Sequence, residues 1–327
     1  MRKTCLDQVY ELAKKDPRIF FVGSDLGYET LKQFKNEMPD RFFMEGVSEA
    51  NLVGISAGLG LEGKIVYANT IATFLSRRCF EQIVLDMALH QANVRLIANG
   101  GGVVYAPLGP THLAIDDLAI LRAVPNMTII APCDAEEMKR LMPLTVNHQG
   151  PMYIRLAKGG DPIVSTDRIP FKIGKALALR EGKDALIVTT GITLGLALKA
   201  AGILCKEGIE AAILHMPTVK PLDHETLLNY VRQTCVVVTI EEHSVIGGLG
   251  SAVAEAILEA NFESVKNFKR IGIPDVFPDG YGTQDDLMKK YGITAENLCA
   301  VIKQLMERIV NGRARSYHHT VTQKIQA

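Results

Sequence analysis

Short apolar runs recur through the first half of the chain: KIVYANT (64–70), NVRLIAN (93–99), MTIIAP (127–132) and PMYIRLA (151–157). Runs that do not alternate between polar and apolar residues belong to strands buried on both faces, the condition of a parallel sheet covered by helices. Parallel neighbours need crossover connections. The intervening segments CFEQIVLDMALHQA (79–92), IDDLAILRAV (115–124) and DAEEMKRLMPLTV (134–146) carry apolar residues at helical spacing and supply them. Upstream, LDQVYELAKK reads as a helix broken at Asp16-Pro17 before the strand IFFVGS. EANLVGISAGLGL (49–61) reads as a small-residue helix suited to close approach of a neighbour.

The pattern changes at GGDPIVSTDRIPFKIG (159–174), where Pro162 and Pro170 interrupt any helical or long strand period. A second series follows. DALIVTTG and EAAILHM read as strands on either side of the helix ITLGLALKAAGILCKEG, which ends at Gly208. HETLLNYVRQT, CVVVTIEEH and GSAVAEAILEA extend the series, and ENLCAVIKQLMERIV closes it as an amphipathic helix. The expected fold class is therefore α/β, with two domains that are each a mainly parallel sheet flanked by helices. The expected division is 1–165, a linker at 166–174, 175–310, and a tail at 311–327 that is mobile or docked on a partner.

Composition excludes several functions. The 36 Lys and Arg residues balance 36 Asp and Glu residues, so no global field draws the chain to nucleic acid or to an anionic membrane. Apolar stretches are too short to span a bilayer, and the basic N-terminus is not followed by a signal-type apolar core. The six cysteines are scattered, without the close pairs of zinc or redox motifs, which fits reduced thiols and a cytoplasmic location.

Several separate motifs, in order, carry a resemblance. PDRFFMEGVSEANLVGISAGLGLEGKIVYANTIATFLSRRCFEQI (39–83) and GPTHLAIDDLAILRAVPNMTIIAPCD (109–134) resemble the pyrimidine-binding domain of transketolases and related thiamine diphosphate enzymes. KPLD (220–223), EEHSVIGGLGSAVAEAI (241–257) and FPDGYGTQDDLMKKYGITAENL (277–298) resemble the transketolase C-terminal domain. A full-length transketolase also has a diphosphate-binding domain whose GDG triplet holds a divalent cation, and no GDG occurs in this chain. The diphosphate needs a hard cation in an oxygen cage. The resemblance thus implies the C-terminal subunit of a split transketolase. A partner subunit with the GDG motif would hold Mg2+ and the diphosphate, and the two would self-associate as an α2β2 assembly.

The same resemblance implies roles for particular residues. Glu49 in GVSEAN matches the glutamate that protonates the cofactor's pyrimidine, a task suited to a carboxyl sheltered from water, since burial disfavours the ionised form. Taken alone it is a glutamate in a first helical turn, favoured there by the helix dipole. Phe74, Arg77 and Phe80 in TFLSRRCFEQI fall on the segment that lines the aminopyrimidine pocket, with Phe80 at the stacking position; as bare residues they are equally core aromatics and a surface charge. His112 in GPTH matches a histidine that bonds substrate oxygens. Transketolases carry DGPTH, and here Leu108 replaces the acid that recognises a sugar hydroxyl, implying a modified or deoxy sugar or another acceptor. Arg2 and Lys158 match substrate-phosphate positions, with Lys lacking the planar fork of Arg. Competing readings are the beta subunit of a 2-oxo acid dehydrogenase and, from a different class, a catalytically silent regulatory partner.

Overall fold

The computed structural model describes residues 1–27 and 29–309; the expected tail at 311–327 lies outside them. The first series begins with α1 (Arg2–Lys15), β1 (Ile19–Gly23), α2 (Lys32–Glu37), β2 (Phe42–Met44), α3 (Glu49–Leu61), β3 (Ile65–Ile71) and α4 (Ala72–Arg78). It continues with α5 (Phe80–Gln82), which runs into a π-helical stretch at Ile83–Leu89, then β4 (Val94–Asn99), α6 (Asp117–Arg122), β5 (Thr128–Ile130), α7 (Ala135–Val146) and β6 (Met152–Leu156). Residues 157–176 contain neither helix nor strand. The second series is β7 (Leu177–Arg180), β8 (Ala185–Thr189), α8 (Thr193–Lys206), β9 (Ala211–His215), β10 (Thr218–Lys220), α9 (His224–Gln233), β11 (Val236–Ser244), α10 (Leu249–Glu259), β12 (Asn267–Ile273) and α11 (Gln284–Lys290). A last helix, α12, covers 295–309.

These strands form two sheets, ordered β10-β5-β6-β4-β3-β1-β2 and β12-β11-β8-β9-β7. The first is parallel except at β10, and the second is parallel except at β7. The α/β class and mainly parallel sheets expected from the apolar runs are thus observed. β4 and β6 are buried at every position, as strands covered on both faces must be. The two faces of the first sheet have separate cores, one around Leu52, Leu75 and Leu96 and one around Leu6, Phe21 and Ile154.

Local chemistry sets the helix starts. Asp134 caps α7 by accepting from the Glu136 and Glu137 amides at 2.9 and 2.8 Å. Thr283 and Asp286 form a reciprocal capping box on α11. Within α3, Gly54 and Gly58 face open space, so the close approach expected of this small-residue helix is not made there by any described residue of the same chain.

Two features fasten the halves together. β10, from the second series, pairs antiparallel with β5 as an edge strand of the first sheet. Val103, Ala106, Leu113, Ile115 and Cys133 from the first half are buried in one core with Ile187, Leu204 and Ile240 from the second. No helix among the described residues is long and apolar enough to cross a membrane.

Candidate active site

In a parallel sheet the strand carboxyl ends share one edge, which is where ligands of open α/β folds bind. Asn69 and Thr70 lie at that end of β3, Asn99 ends β4, and Ser24 directly follows β1. Asn99 Nδ2 donates to Asn69 Oδ1 at 2.6 Å and to the Thr70 carbonyl at 3.0 Å, and Ser24 Oγ donates to Thr70 Oγ1 at 2.9 Å. Asn99 Oδ1 and the nearby-in-sequence Thr73 Oγ1 are buried without a partner among the described residues. Unsatisfied buried polar atoms are costly, so a built polar edge that leaves two of them suits a polar ligand.

Glu49 opens α3 and is 5% exposed. Arg78, at the end of α4, places Nη1 at 3.2 Å from both of its carboxylate oxygens. The Arg78 guanidinium lies over the Phe74 ring, 3.8 Å from its centroid. Phe74 in turn meets the His112 ring edge-on at a centroid distance of 5.1 Å. Contacts therefore run without interruption from Glu49 through Arg78 and Phe74 to His112, whose Nδ1 is 2.9 Å from Thr111 Oγ1. Each Glu49 oxygen has two lone pairs and the single contact to Arg78 leaves one free on each, so the carboxyl can still meet a ring nitrogen.

The other expected site residues are placed differently. Phe80 is half-buried and packs against the core that contains Leu52, Val53 and Ile83. Arg77 turns away from Glu49: its Nε is 2.9 Å from Asp116 Oδ2, and its Nη2 donates to the Leu113 carbonyl at 3.3 Å. Leu108 is exposed in the 3-10 turn Ala106–Leu108. Gly109 beside it has φ +79°, and a Cβ there would sit 2.7 Å from the Tyr281 ring, so a second-half loop closes over the GPTH turn.

Arg2 and Lys158 are both exposed. Their neighbours adjoin, since a Cβ on Gly159 would lie 3.6 Å from the Met1 nitrogen. Burial raises the Tyr105 phenol, and the Arg2 charge and hydrogen bond oppose that rise. Arg2 therefore reaches the segment that leads into the GPTH turn.

Beneath this segment lies a buried network that sequence reasoning missed. The Arg155 guanidinium donates to Asp117 at 2.8 and 3.1 Å, to the Ala114 carbonyl at 2.9 Å and to the Glu242 carbonyl at 3.0 Å. Tyr153 donates to Asp117 at 2.7 Å. Burial alone would raise the Asp117 carboxyl, but the Arg155 charge and the bonds from Arg155 and Tyr153 hold it below the ordinary carboxylate range. His243 donates from Nδ1 to the Ser244 carbonyl at 2.8 Å, and its Nε2 lies 3.4 Å from the Ala119 amide nitrogen and 3.8 Å from Asp117 Oδ1.

Glu242 Oε1 accepts from the Val103 amide and from Gln284 Nε2, each at 2.8 Å. Burial pushes its carboxyl up to about 7, against the pull of Arg155 and these two bonds. Gly102, at φ +65°, makes room: a Cβ there would stand 2.4 Å from the Glu242 carboxyl carbon.

Comparisons with known proteins agree with this architecture. Residues 1–160 match the family model "Transketolase, pyrimidine binding domain", and residues 174–298 match "Transketolase, C-terminal domain". The chain is 38% identical over 309 residues to the 6-deoxy-6-sulfo-D-fructose transketolase subunit SqwH of Clostridium sp. (strain MSTE9), covering 94% of this chain and 95% of that protein. It is 36% identical to one subunit of the apulose-4-phosphate transketolase of Phocaeicola vulgatus, covering 94% and 97% respectively. A solved structure described as "Split gene transketolase, inactive beta4 tetramer" superposes with a TM-score of 0.85 at 39% identity, covering 94% of this chain and 98% of that one. With both domain models matched in order and relatives of nearly equal length, the chain belongs to the transketolase family, as a subunit that carries the pyrimidine-binding and C-terminal domains.

Proposed function

We propose that this chain, together with an N-terminal subunit, transfers a two-carbon ketol unit from a ketose to an aldose, with at least one of the sugars modified or anionic. The observation that carries the reading is the buried Glu49 carboxylate at the start of α3, continuous with Arg78, Phe74 and His112. Thiamine diphosphate, when bound, supplies a nucleophilic thiazolium carbon for that transfer. The residues present fit its pyrimidine half: a sheltered carboxyl, aromatic side chains, and the unpaired acceptors Asn99 Oδ1 and Thr73 Oγ1.

In this reading Glu49 holds and shares a proton at the pyrimidine ring nitrogen, with Arg78 fixing the carboxyl from its outer side. Phe80 and Phe74 exclude water from the ring. His112 donates to or accepts from substrate oxygens, and its edge contact with Phe74 fixes the ring plane. Arg2 and Lys158, brought to one rim by the Met1–Gly159 approach, supply positive charge for a phosphate or another anionic group of the sugar.

The diphosphate and its Mg2+ fall to the partner subunit, because no GDG triplet occurs in the sequence. Relatives described as transketolase subunits for 6-deoxy-6-sulfo-D-fructose and for apulose 4-phosphate support modified substrates, as does the leucine at position 108. The assembly proposed is α2β2.

Glu49→Gln keeps the shape and hydrogen-bonding capacity of the side chain but cannot cycle a proton. In the reconstituted complex it should fold and bind its partner while turnover falls by about 100-fold or more, the usual scale of general acid–base catalysis. Near-normal ketol transfer by this variant would refute the assignment.

A further inference from the structure

Cys133, Glu137 and His215 meet inside the molecule, apart from the Glu49 to His112 contacts. Cys133 follows β5, Glu137 stands in the first turn of α7, and His215 ends β9, so the three come from both halves of the chain. Their exposures are 1%, 0% and 0%. Glu137 Oε2 accepts the Cys133 amide at 2.7 Å and lies 3.1 Å from His215 Nε2. That leaves Glu137 Oε1 and His215 Nδ1 fully enclosed without any partner among the described residues. Two orphaned atoms on adjoining buried side chains are a deficit that native interiors rarely leave unfilled.

The neighbouring acid shows the contrast. Asp134 is fully engaged: Oδ1 accepts from the Glu136 and Glu137 amides and Ser165 Oγ, while Oδ2 accepts from the Val164 and Ser165 amides. Glu137 and His215 therefore stand out as groups with capacity to spare.

We propose that Cys133 Sγ, a Glu137 carboxylate oxygen and a His215 ring nitrogen form a zinc site that ties the pyrimidine-binding domain to the C-terminal domain. One donor atom from each of the three lies within 4.8 Å of the others. Donors around a tetrahedral Zn2+ stand about 3.4–3.6 Å apart, from Zn–S near 2.3 Å and Zn–N near 2.05 Å, so side-chain adjustments of about 1 Å complete the set. A thiolate, a carboxylate and a neutral imidazole balance the dication, and this mixed soft and borderline donor set favours zinc over magnesium or calcium.

On binding, the Zn–S bond replaces the S–H bond and the thiol proton leaves to solvent. The Glu137–His215 hydrogen bond opens in favour of the ion. Cys133 also borders a cavity of about 430 Å³, shared with Val164, Ile192, Gln284 and Asp285.

The test uses the full chain, stripped with a chelator and titrated with ZnCl2 alone. His318→Ala/His319→Ala serves as the parent, because adjacent histidines in the sequence can bind zinc adventitiously. The parent should retain one zinc per chain after dialysis, release a proton on binding, and gain thermal stability. Co2+ substitution should produce a thiolate-to-metal charge-transfer band. Cys133→Ser should lose that band, and His215→Gln should weaken zinc binding at least about tenfold. His215→Gln leaves the cysteine in place and covers the case in which Cys133→Ser fails to fold. A parent that retains no zinc, or retention unchanged in both variants, overturns the site and leaves a plain glutamate–histidine hydrogen bond. The site stands or falls independently of ketol transfer.

Discussion

Glu242→Gln is a perturbation whose outcome follows from the buried network under the GPTH segment. Glu242 is 4% exposed, and its Oε1 accepts from Val103 and Gln284. The charged groups facing it are Arg155, which favours its ionised form, and Asp117, which opposes it. Burial holds its carboxyl at about 7 in the folded protein, against an ordinary value of 4.5. Between those values the native state binds more protons than the unfolded chain, so stability falls as pH rises through that window and levels off above it. The interval corresponds to about 3 kcal/mol in total at about 1.4 kcal/mol per pH unit.

Glutamine keeps a carbonyl oxygen for both hydrogen bonds and cannot ionise. Chemical denaturation of wild type and Glu242→Gln should be compared at matched pH values from about 4.5 to about 8, because the difference removes every other titrating group. The wild type should lose about 3 kcal/mol relative to the variant across the series, most of it below about pH 7. Parallel stability curves would refute the argument, as would a wild type that gains on the variant with rising pH.

Two further substitutions address the site. Phe80→Ala should weaken thiamine diphosphate binding in the reconstituted complex by about 2- to 10-fold, the value of an aromatic stacking contact of about 0.5–1.5 kcal/mol, as read by cofactor titration at fixed Mg2+. Unchanged affinity would make Phe80 an ordinary core residue. Leu108→Asp should raise kcat/KM for ordinary transketolase acceptors that carry the matching hydroxyl, relative to the wild type, because a site acquires selectivity for a hydroxyl by supplying its partner. No change for any such acceptor would show that Leu108 does not set acceptor choice.

The parts of the fold that were legible in the sequence are those whose signal is local. β3, β4 and β6 follow from short, mostly apolar runs that do not alternate, and α8 stops where Gly208 takes φ +79°. β10 was not legible, since it is three residues long and is defined by pairing with β5 in the other half. The segment after Cys79 reads as one helix, whereas the chain widens into a π-helix at Ile83–Leu89, which periodicity does not resolve.

The site shows the same division. GVSEAN and GPTH could be placed by motif, but neighbouring helix residues point about 100° apart, so whether Arg77 or Arg78 meets Glu49 depends on how α4 is rotated by its packing. Arg78 makes that contact and Arg77 binds Asp116. In EEH, acidic residues inside a strand suggest exposure. Instead Glu241 accepts the Leu249 and Gly250 amides at the start of α10, and Glu242 reaches across to Val103. Both depend on partners far along the chain that no local pattern announces.

The division of labour between two polypeptides is tested most directly by reconstitution. The purified full chain would be assayed for two-carbon transfer between a ketose and an aldose, with thiamine diphosphate and Mg2+, alone and after adding an N-terminal transketolase subunit that carries the GDG motif. The expected result is a folded but inactive chain that gains cofactor-dependent turnover only with the partner. Robust thiamine-dependent turnover by this chain without a second polypeptide would contradict the account.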